Sequence, residues 1–291
     1  MTIRFNDRLL AFVQISRIPN DIYIGFAVLI GMILALNSIP PPELATLGFL
    51  SGFFISASVM VSNDIFDLEI DKINNPARPL PRGALSIRAA WILVFVYMVA
   101  GVFTALSLGF LNFVIAVLFW ILGLSYNKYL KKTGLLGNMA VSSSVAIPFI
   151  YGSIGAIGYT TNLSFIFALL AFLANTGREI IKGVIDLEGD RIYNVKTLAV
   201  RYGEYKASLV ASLFIITSVI LSPLPLMDYG VNSYIYIPLV LVTDIIFIYS
   251  IYSSLKLAKS RQINKLHKVK KLLFIGMGVG LLAFTLGALF V

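Results

Sequence analysis

Two stretches rich in carboxylates stand out in this 291-residue chain, and each follows a long apolar run. They are residues 63–71, which read NDIFDLEID, and residues 186–190, which read DLEGD. A carboxylate near the centre of a membrane helix costs about 2.5–3.5 kcal/mol on insertion scales. Carboxylates that cluster at the ends of apolar helices therefore need compensating cations, and this need is the first indication of their chemistry.

Helical spacing places the acids of each motif on a common face. At about 100° per residue, an arc of roughly 100° holds Asn63, Asp64, Asp67 and Asp71. The same spacing of 100° per residue, applied to the sixth span and the second motif, gives a face about 120° wide that carries both acids and bases. The members of that second face are Asn175, Arg178, Glu179, Lys182, Asp186 and Asp190. The first face is suited to cations, whereas the second is suited to an anion held partly by metal and partly by direct charge.

These acids offer oxygen ligands only, because the chain has no Cys and its one His lies elsewhere. Oxygen ligands are what Mg²⁺ prefers, and Mg²⁺ usually leaves part of its octahedron to water and substrate phosphates. The predicted metal ligands are Asp64, Asp67, Asp71, Asp186 and Asp190. We therefore expect Mg²⁺ as cofactor, bridging the motifs to a diphosphate, with Asp64, Asp67, Asp186 and Asp190 as the catalytic residues.

Basic and polar residues flank the motifs in positions suited to phosphate oxygens. Prolines stiffen the loop at 74–83, where Arg78 and Arg82 offer planar forks for phosphate. Arginine, lysine and metal together stabilise the charge that develops when a diphosphate leaves an allylic carbon. The predicted diphosphate and substrate contacts are Asn63, Arg78, Arg82, Tyr126, Lys128 and Lys182.

The rest of the chain has the composition of an integral membrane protein. Its residues are 58% hydrophobic and 13% charged, where a soluble domain has roughly a quarter charged. A span needs about 20 apolar residues, and we count nine candidate spans. They are 11–36, 44–66, 87–108, 110–127, 135–157, 163–187, 205–226, 233–256 and 270–290. The N-terminus lacks the pattern of a signal peptide, so we expect the first helix to be retained.

The basic residues predict the orientation of the spans. All 23 fall in the N-terminal arm or near the connections after spans two, four, six and eight. Because cytoplasmic segments carry an excess of Lys and Arg, we expect the N-terminus and both acidic motifs to be cytoplasmic and the C-terminus to be outside. The net charge of +9 is explained by this topology and by attraction to anionic membrane lipids, and it needs no nucleic acid partner.

The two motifs also mark an internal repeat. Residues 67–75 and 186–194 match at most positions at a constant offset of 119, and the same offset pairs Arg82 with Arg201. Both copies end a span that runs in the same direction, so the repeat is parallel, with copies at 63–82 and 182–201. Residues 1–291 are expected to form a single transmembrane domain. The copies differ, since Lys182 and Gly183 stand where the first copy has an amide and a carboxylate.

The paired acidic motifs on even-numbered spans of a nine-helix chain resemble those of the UbiA superfamily of intramembrane prenyltransferases. Within it, residues 63–74, 126–138 and 177–182 are most similar to archaeal digeranylgeranylglyceryl phosphate synthases. The resemblance implies an all-α fold: nine transmembrane helices around a central lipid-open cavity, capped by the cytoplasmic loops. It also adds Arg17, followed by Pro19 and Asn20, as a position at the cavity mouth.

The resemblance implies that Mg²⁺ holds geranylgeranyl diphosphate at the acidic motifs. The group transferred would be geranylgeranyl, and the acceptor would be the free hydroxyl of geranylgeranylglyceryl phosphate, a lipid-like phosphorylated molecule. Two alternatives remain open at this stage. One is transfer to an aromatic acceptor of the quinone, chlorophyll or haem type, and the other is a transporter coupled to cations or protons. The sequence leaves the oligomeric state undetermined.

Overall fold

The computed structural model describes residues 11–192, 195–227 and 230–291, apart from the side chain of Asn74. Within these ranges, nine helices are long and apolar enough to cross a membrane. The long helices are α1 (Ile18–Leu36), α2 (Pro42–Phe66), α4 (Ile87–Leu108), α5 (Phe110–Lys128), α6 (Leu135–Ile157), α7 (Asn162–Ile185), α10 (Glu204–Leu221), α11 (Ser233–Lys259) and α12 (Leu266–Leu289). Three short helices lie between them, namely α3 (Leu68–Asn74), α8 (Leu187–Ile192) and α9 (Leu198–Tyr202).

The nine predicted spans are confirmed, and the main difference is the start of the first. Residues 11–15 are helical, but the chain breaks at Arg17, whose φ of 46° lies in the left-handed region. The long helix α1 begins only at Ile18, with Pro19 in its first turn. Proline lacks an amide hydrogen and is favoured at helix starts. The expectation of one unbroken span over 11–36 is therefore wrong at its beginning.

The long helices form a closed ring, as the expected fold class requires. Each packs against the next in the order α1, α2, α4, α5, α6, α7, α10, α11, α12, and α12 returns to α1. A further contact between α1 and α6 crosses the ring and divides it into two parts. The first motif lies at the end of α2 in one part, and the second lies at the end of α7 in the other. We call the end of the bundle that carries both motifs the polar end.

The crossing of α1 and α6 depends on glycines on both helices. A Cβ atom on Gly152 would collide with the carbonyl oxygen of Val28 and lie 2.8 Å from the amide nitrogen of Met32. A Cβ atom on Gly31 would collide with the backbone of Phe149. Only residues without a side chain allow two membrane helices to approach this closely. These glycines therefore set the distance between the two parts of the ring.

Aromatic packing closes the ring away from the polar end. The ring centroids of Phe167 and Phe149 lie 4.5 Å apart, and those of Phe167 and Phe284 lie 4.3 Å apart. The buried Tyr236 packs edge-on against Phe284 and donates its hydroxyl hydrogen to the carbonyl of Ser222 at 2.7 Å. This cluster joins α6, α7, α11 and α12, so it holds the second part of the ring rigid beneath the second motif.

A cavity with mostly apolar walls lies in the first part of the ring. It contains about 900 Å³ of empty space, some of it open to the outside, between α1, α2, α5 and α6. Ile24, Ser56, Phe119 and Val145 each contribute from a different one of these helices. A pocket with mostly apolar walls suits a hydrocarbon chain.

Candidate active site

Both motifs lie at breaks in membrane helices, and the two breaks have nearly the same backbone geometry. The helix α2 ends before Asp67, which has φ −89° and ψ 2°, and the short helix α3 begins directly after it. The helix α7 ends before Asp186, which has φ −87° and ψ 9°, and α8 follows. The expectation of one continuous helical face is therefore wrong for Asp71 and Asp190, which lie on the short helices.

Arginines balance the buried acids of the first motif. Arg17, at the left-handed break before α1, donates through Nη2 to Oδ1 of Asp64. Arg78, in the proline-rich loop, donates to Oδ2 of Asp71, and its Nη1 also lies 3.6 Å from Asp64. Both carboxylates are only 4% exposed, so they depend on these partners. The loop therefore closes over the motif and brings Asp64 and Asp71 together despite the helix break.

Lys131 supplies the cation for the third acid of this motif. Its Nζ lies 2.5 Å from Oδ2 of Asp67. Lys131 belongs to the 3₁₀ turn Leu130–Lys132 that follows α5. Lys128, which the sequence placed among the phosphate contacts, is exposed and lies over the ring of Tyr129 at 5.0 Å. Because the backbone changes from α to 3₁₀ geometry after α5, Lys131 rather than Lys128 reaches Asp67 on α2. The spacing of a regular α-helix does not predict this contact.

The end of α5 is tied to α2 just below the motif. The buried amide of Asn127 donates to the carbonyl of Val59 at 3.0 Å and to the hydroxyl of Ser62 at 2.9 Å. These bonds fix the neighbouring Tyr126, which lies within electrostatic range of both Asp67 and Glu179. Tyr126 therefore stands between the first motif on α2 and the charged face of α7.

The charged face of α7 is organised around Glu179. Its Oε1 accepts from Nη1 of Arg178 at 2.9 Å, and its Oε2 lies 3.4 Å from Nζ of Lys182. The guanidinium of Arg178 also lies 5.4 Å from the ring centre of Phe274 on α12, a cation–π distance. One carboxylate therefore holds two bases side by side, which leaves the three groups with a net charge of +1.

Asp186 and Asp190 lie near each other at the start of α8. Burial and the nearby Asp186 carboxylate raise the pKa of Asp190, although a hydrogen bond from Thr197 and the charge of Lys182 oppose the shift. Burial is the main cause of the shift, because it removes water from the ionised carboxylate. The two neighbouring carboxylates are oxygen ligands of the kind that Mg²⁺ prefers, so the second motif is also suited to metal.

The remaining predicted contacts occupy different positions. Asn63 is half-buried on α2, within the first motif. Arg82 is exposed and donates to the side chain of Gln14 at 2.9 Å, and Asn20 is exposed on α1. The structure therefore brings Arg17 and Arg78 to the carboxylates directly, whereas Arg82 joins the loop to the segment before α1.

Two further acids within the spans are bound by serines. Asp21 is fully buried and accepts from Ser56 at 2.6 Å, and Asp244 accepts from Ser222 at 2.7 Å. Both bonds join neighbouring helices of the ring. These acids therefore join neighbouring segments through hydrogen bonds, and Asp21 lies one turn after Arg17, within range of its charge.

The donor set fits Mg²⁺ shared with a substrate. Among the described residues, no group of three or more His, Cys, Asp or Glu lies close enough to hold a metal alone. Mg²⁺ commonly binds through one or two carboxylates plus substrate phosphates, so it does not need a closed protein site. Asp67 and Asp186, each at a helix break of the polar end, provide oxygen ligands of this kind. A diphosphate would complete the coordination.

Comparisons with known proteins agree with this arrangement. The model of the UbiA prenyltransferase family matches residues 24–277. The chain is 36% identical over 284 residues to a digeranylgeranylglyceryl phosphate synthase of Archaeoglobus fulgidus, with 96% of each chain covered. A solved structure of digeranylgeranylglyceryl phosphate synthase has a TM-score of 0.87 and 31% identity, covering 98% of this chain and 99% of that one.

A more distant structure shows the same fold. It is a UbiA homologue from Archaeoglobus fulgidus bound to GPP and Mg²⁺, with a TM-score of 0.69 and 18% identity. The alignment covers 94% of this chain and 99% of that one. The family match extends over most of the nine-helix ring, from α1 into α12, and includes both acidic motifs. The chain therefore belongs to the UbiA prenyltransferase family.

Proposed function

We propose that this protein transfers a geranylgeranyl group from geranylgeranyl diphosphate to the free hydroxyl of geranylgeranylglyceryl phosphate. The reaction forms the second ether of an archaeal membrane lipid and requires Mg²⁺. The observation that carries the proposal is the position of two acidic helix breaks at the polar end of a ring that also contains a cavity with mostly apolar walls. Relatives called digeranylgeranylglyceryl phosphate synthase, similar over almost the whole chain, support this choice of donor and acceptor.

The polar end provides the groups that bind the donor diphosphate. Arg17 pairs with Asp64, Arg78 with Asp71 and Lys131 with Asp67 in the first motif. Their partners would coordinate Mg²⁺, and the freed guanidinium and ammonium groups would turn toward phosphate oxygens. When bound, Mg²⁺ neutralises charge that develops on the departing diphosphate. The site therefore exchanges internal ion pairs for contacts with substrate.

The cavity would hold the hydrocarbon chain of the donor and exclude water from the reacting carbon. The bond between C1 and the diphosphate oxygen breaks, and its electrons leave with the diphosphate. This leaves an allylic cation at C1, while the rings of Phe119 and Tyr151 line the cavity wall that would enclose the hydrocarbon chain. The acceptor hydroxyl then forms a new C–O bond at C1. Its proton passes to the departed diphosphate, the adjacent base.

A reconstitution assay tests the proposed function. Purified protein is incubated with labelled geranylgeranyl diphosphate, Mg²⁺ and a panel of acceptors that includes geranylgeranylglyceryl phosphate and aromatic precursors. We expect an ether product with the phosphorylated lipid only, and no product with EDTA. Alkylation of an aromatic acceptor would favour the quinone-type alternative. Gradient-driven ion flux in liposomes without consumption of the diphosphate would favour a transporter.

The cavity also predicts a dependence on donor chain length. Replacing Val145 with Trp fills the space between α6 and the facing helices, because Val145 lines the cavity wall. We expect Val145→Trp to lower kcat/KM for the C20 donor by at least tenfold, while dimethylallyl diphosphate is used about as well as by the wild type. The matched control is Val145→Ile, which adds one methylene. Equal losses with both donors would contradict the proposed position of the chain.

We further propose that the polar end faces the cytoplasm and that the ring arose by tandem duplication within a single domain, residues 1–291. The distribution of basic residues supports the orientation, with the N-terminus inside and the C-terminus outside. The helices α1 and α2 correspond to α6 and α7 at an offset close to 119, which supports the duplication. Labelling of single cysteines introduced near each terminus, with an impermeant thiol reagent, tests the orientation.

A further inference from the structure

We propose that Arg178 and Lys182 form a second anion subsite that binds the phosphate monoester of the acceptor, separate from the metal-diphosphate subsite. This inference rests on the proposed function and assigns a specificity-determining role to α7. It accounts for how the enzyme would distinguish a phosphorylated lipid from an acceptor without phosphate.

The first argument is the hydrogen bonding of Arg178. Its Nη1 donates to Glu179, but its Nε is buried and has no hydrogen-bond partner within the described parts of the chain. Buried polar groups in proteins are nearly always paired, and an unpaired one requires an explanation. The side chain is 22% exposed, so part of the guanidinium remains accessible. A phosphate that approaches the guanidinium edge would accept from Nε and complete its bonding.

The second argument is charge. In the first motif three acids are matched by three bases, Arg17, Arg78 and Lys131. On α7 the single acid Glu179 is matched by two bases, Arg178 and Lys182. The contact to Lys182 is long, at 3.4 Å, and that side chain is 48% exposed. The group therefore has an excess positive charge and one weakly held base. Both features favour an additional anion, and Glu179 keeps the two bases positioned before it binds.

The third argument is position along the helix. Arg178 precedes Asp186 by eight residues, which corresponds to about 12 Å along α7, away from the polar end. The metal ligands and the diphosphate belong at the breaks of α2 and α7. Arg178 therefore lies deeper than the donor diphosphate, and Phe274 on α12 orients its guanidinium. An acceptor anchored there would keep its hydroxyl near the reacting carbon while its phosphate stays apart from the diphosphate.

The test compares geranylgeranylglyceryl phosphate with geranylgeranylglycerol, which lacks the phosphate. For the wild type we expect a preference for the phosphorylated acceptor. In Arg178→Gln we expect the KM of the phosphorylated acceptor to rise on the order of tenfold to a hundredfold, which is the range for a lost charge-assisted hydrogen bond. The KM of the donor should stay unchanged. The preference for the phosphorylated acceptor over geranylgeranylglycerol should fall by the same factor. Arg178→Lys should recover part of this preference.

Two further variants complete the test. Arg88→Gln removes an exposed arginine at the start of α4 and should leave the KM values of both acceptors unchanged. Lys182→Gln should raise the KM of the phosphorylated acceptor by a smaller factor than Arg178→Gln does. It serves as the second variant if Arg178→Gln does not fold. An unchanged preference in both variants, or a rise in the KM of the donor instead, would overturn the inference. Failure of the wild type to alkylate either acceptor would instead refute the proposed function.

Discussion

Replacing Asp67 or Asp186 with Ala should abolish product formation while leaving membrane insertion and folding intact. Each residue lies at a helix break, where its carboxylate is available to Mg²⁺ and the diphosphate. Removal of one group that stabilises charge in the transition state typically lowers the rate on the order of 10² to 10³-fold. We expect at least this loss in kcat for each variant. The measurement is turnover of labelled geranylgeranyl diphosphate by purified protein of verified monodispersity.

The chain supplies matched controls within the same motifs. Glu69 follows Asp67 by two residues, but it is exposed and pairs with Lys72 at 2.7 Å on the outside of α3. Glu188 is likewise exposed on α8. Glu69→Ala and Glu188→Ala each remove a carboxylate from a motif and should retain nearly full activity. Turnover like that of the wild type in both Asp variants would refute the role of the motifs.

The second large effect is expected at the crossing of α1 and α6. Replacing Gly152 with Ala places a methyl group against the backbone of Val28, which has no side-chain freedom to move away. Overpacking of this kind destabilises a protein by about 1–3 kcal/mol. Turnover should also fall, because a shift of α1 moves Arg17 away from Asp64. Thermal unfolding in detergent, followed by tryptophan fluorescence, measures the stability change.

Gly278 on α12 is the control for this substitution. No atom lies within 4 Å of a Cβ placed there, and the residue is within a membrane helix as Gly152 is. Gly278→Ala should be neutral or slightly stabilising, within about 1 kcal/mol, because alanine loses less backbone entropy than glycine in a helix. Equal unfolding temperatures for the two variants would show that the close crossing does not limit stability.

The sequence predicts a cation-binding group at Asp64, Asp67 and Asp71, because clustered carboxylates beside apolar spans are costly without cations. In the structure each of these acids pairs with a base. The basic partners were harder to identify. Lys131, rather than Lys128, contacts Asp67, and the difference arises from a short 3₁₀ turn that periodicity does not report.

The boundaries of the helices show the same division. Apolar runs located all nine spans, because the hydrocarbon thickness requires about 20 residues for each. The break at Asp67 was not predicted, and a continuous helix was expected to carry Asp71. The left-handed residue Arg17 was also not predicted, although Pro19 marked the region as a helix start. The backbone geometry at Asp67 and Arg17 depends on their partners Lys131 and Asp64, which lie far away in the sequence. A pattern of apolar residues along the chain does not indicate these partners.

The sequence alone therefore determines the nine apolar spans and the positions of the two acidic motifs along them, because membrane insertion imposes strong constraints on composition and length. The tertiary structure decided which base meets which acid, through loops that fold back over the breaks. It also decided that Arg178 shares Glu179 with Lys182 and keeps a buried Nε without a described partner. Pairs such as Arg17 with Asp64 and Lys131 with Asp67 join segments that are 47 and 64 residues apart, so they depend on how the helices pack.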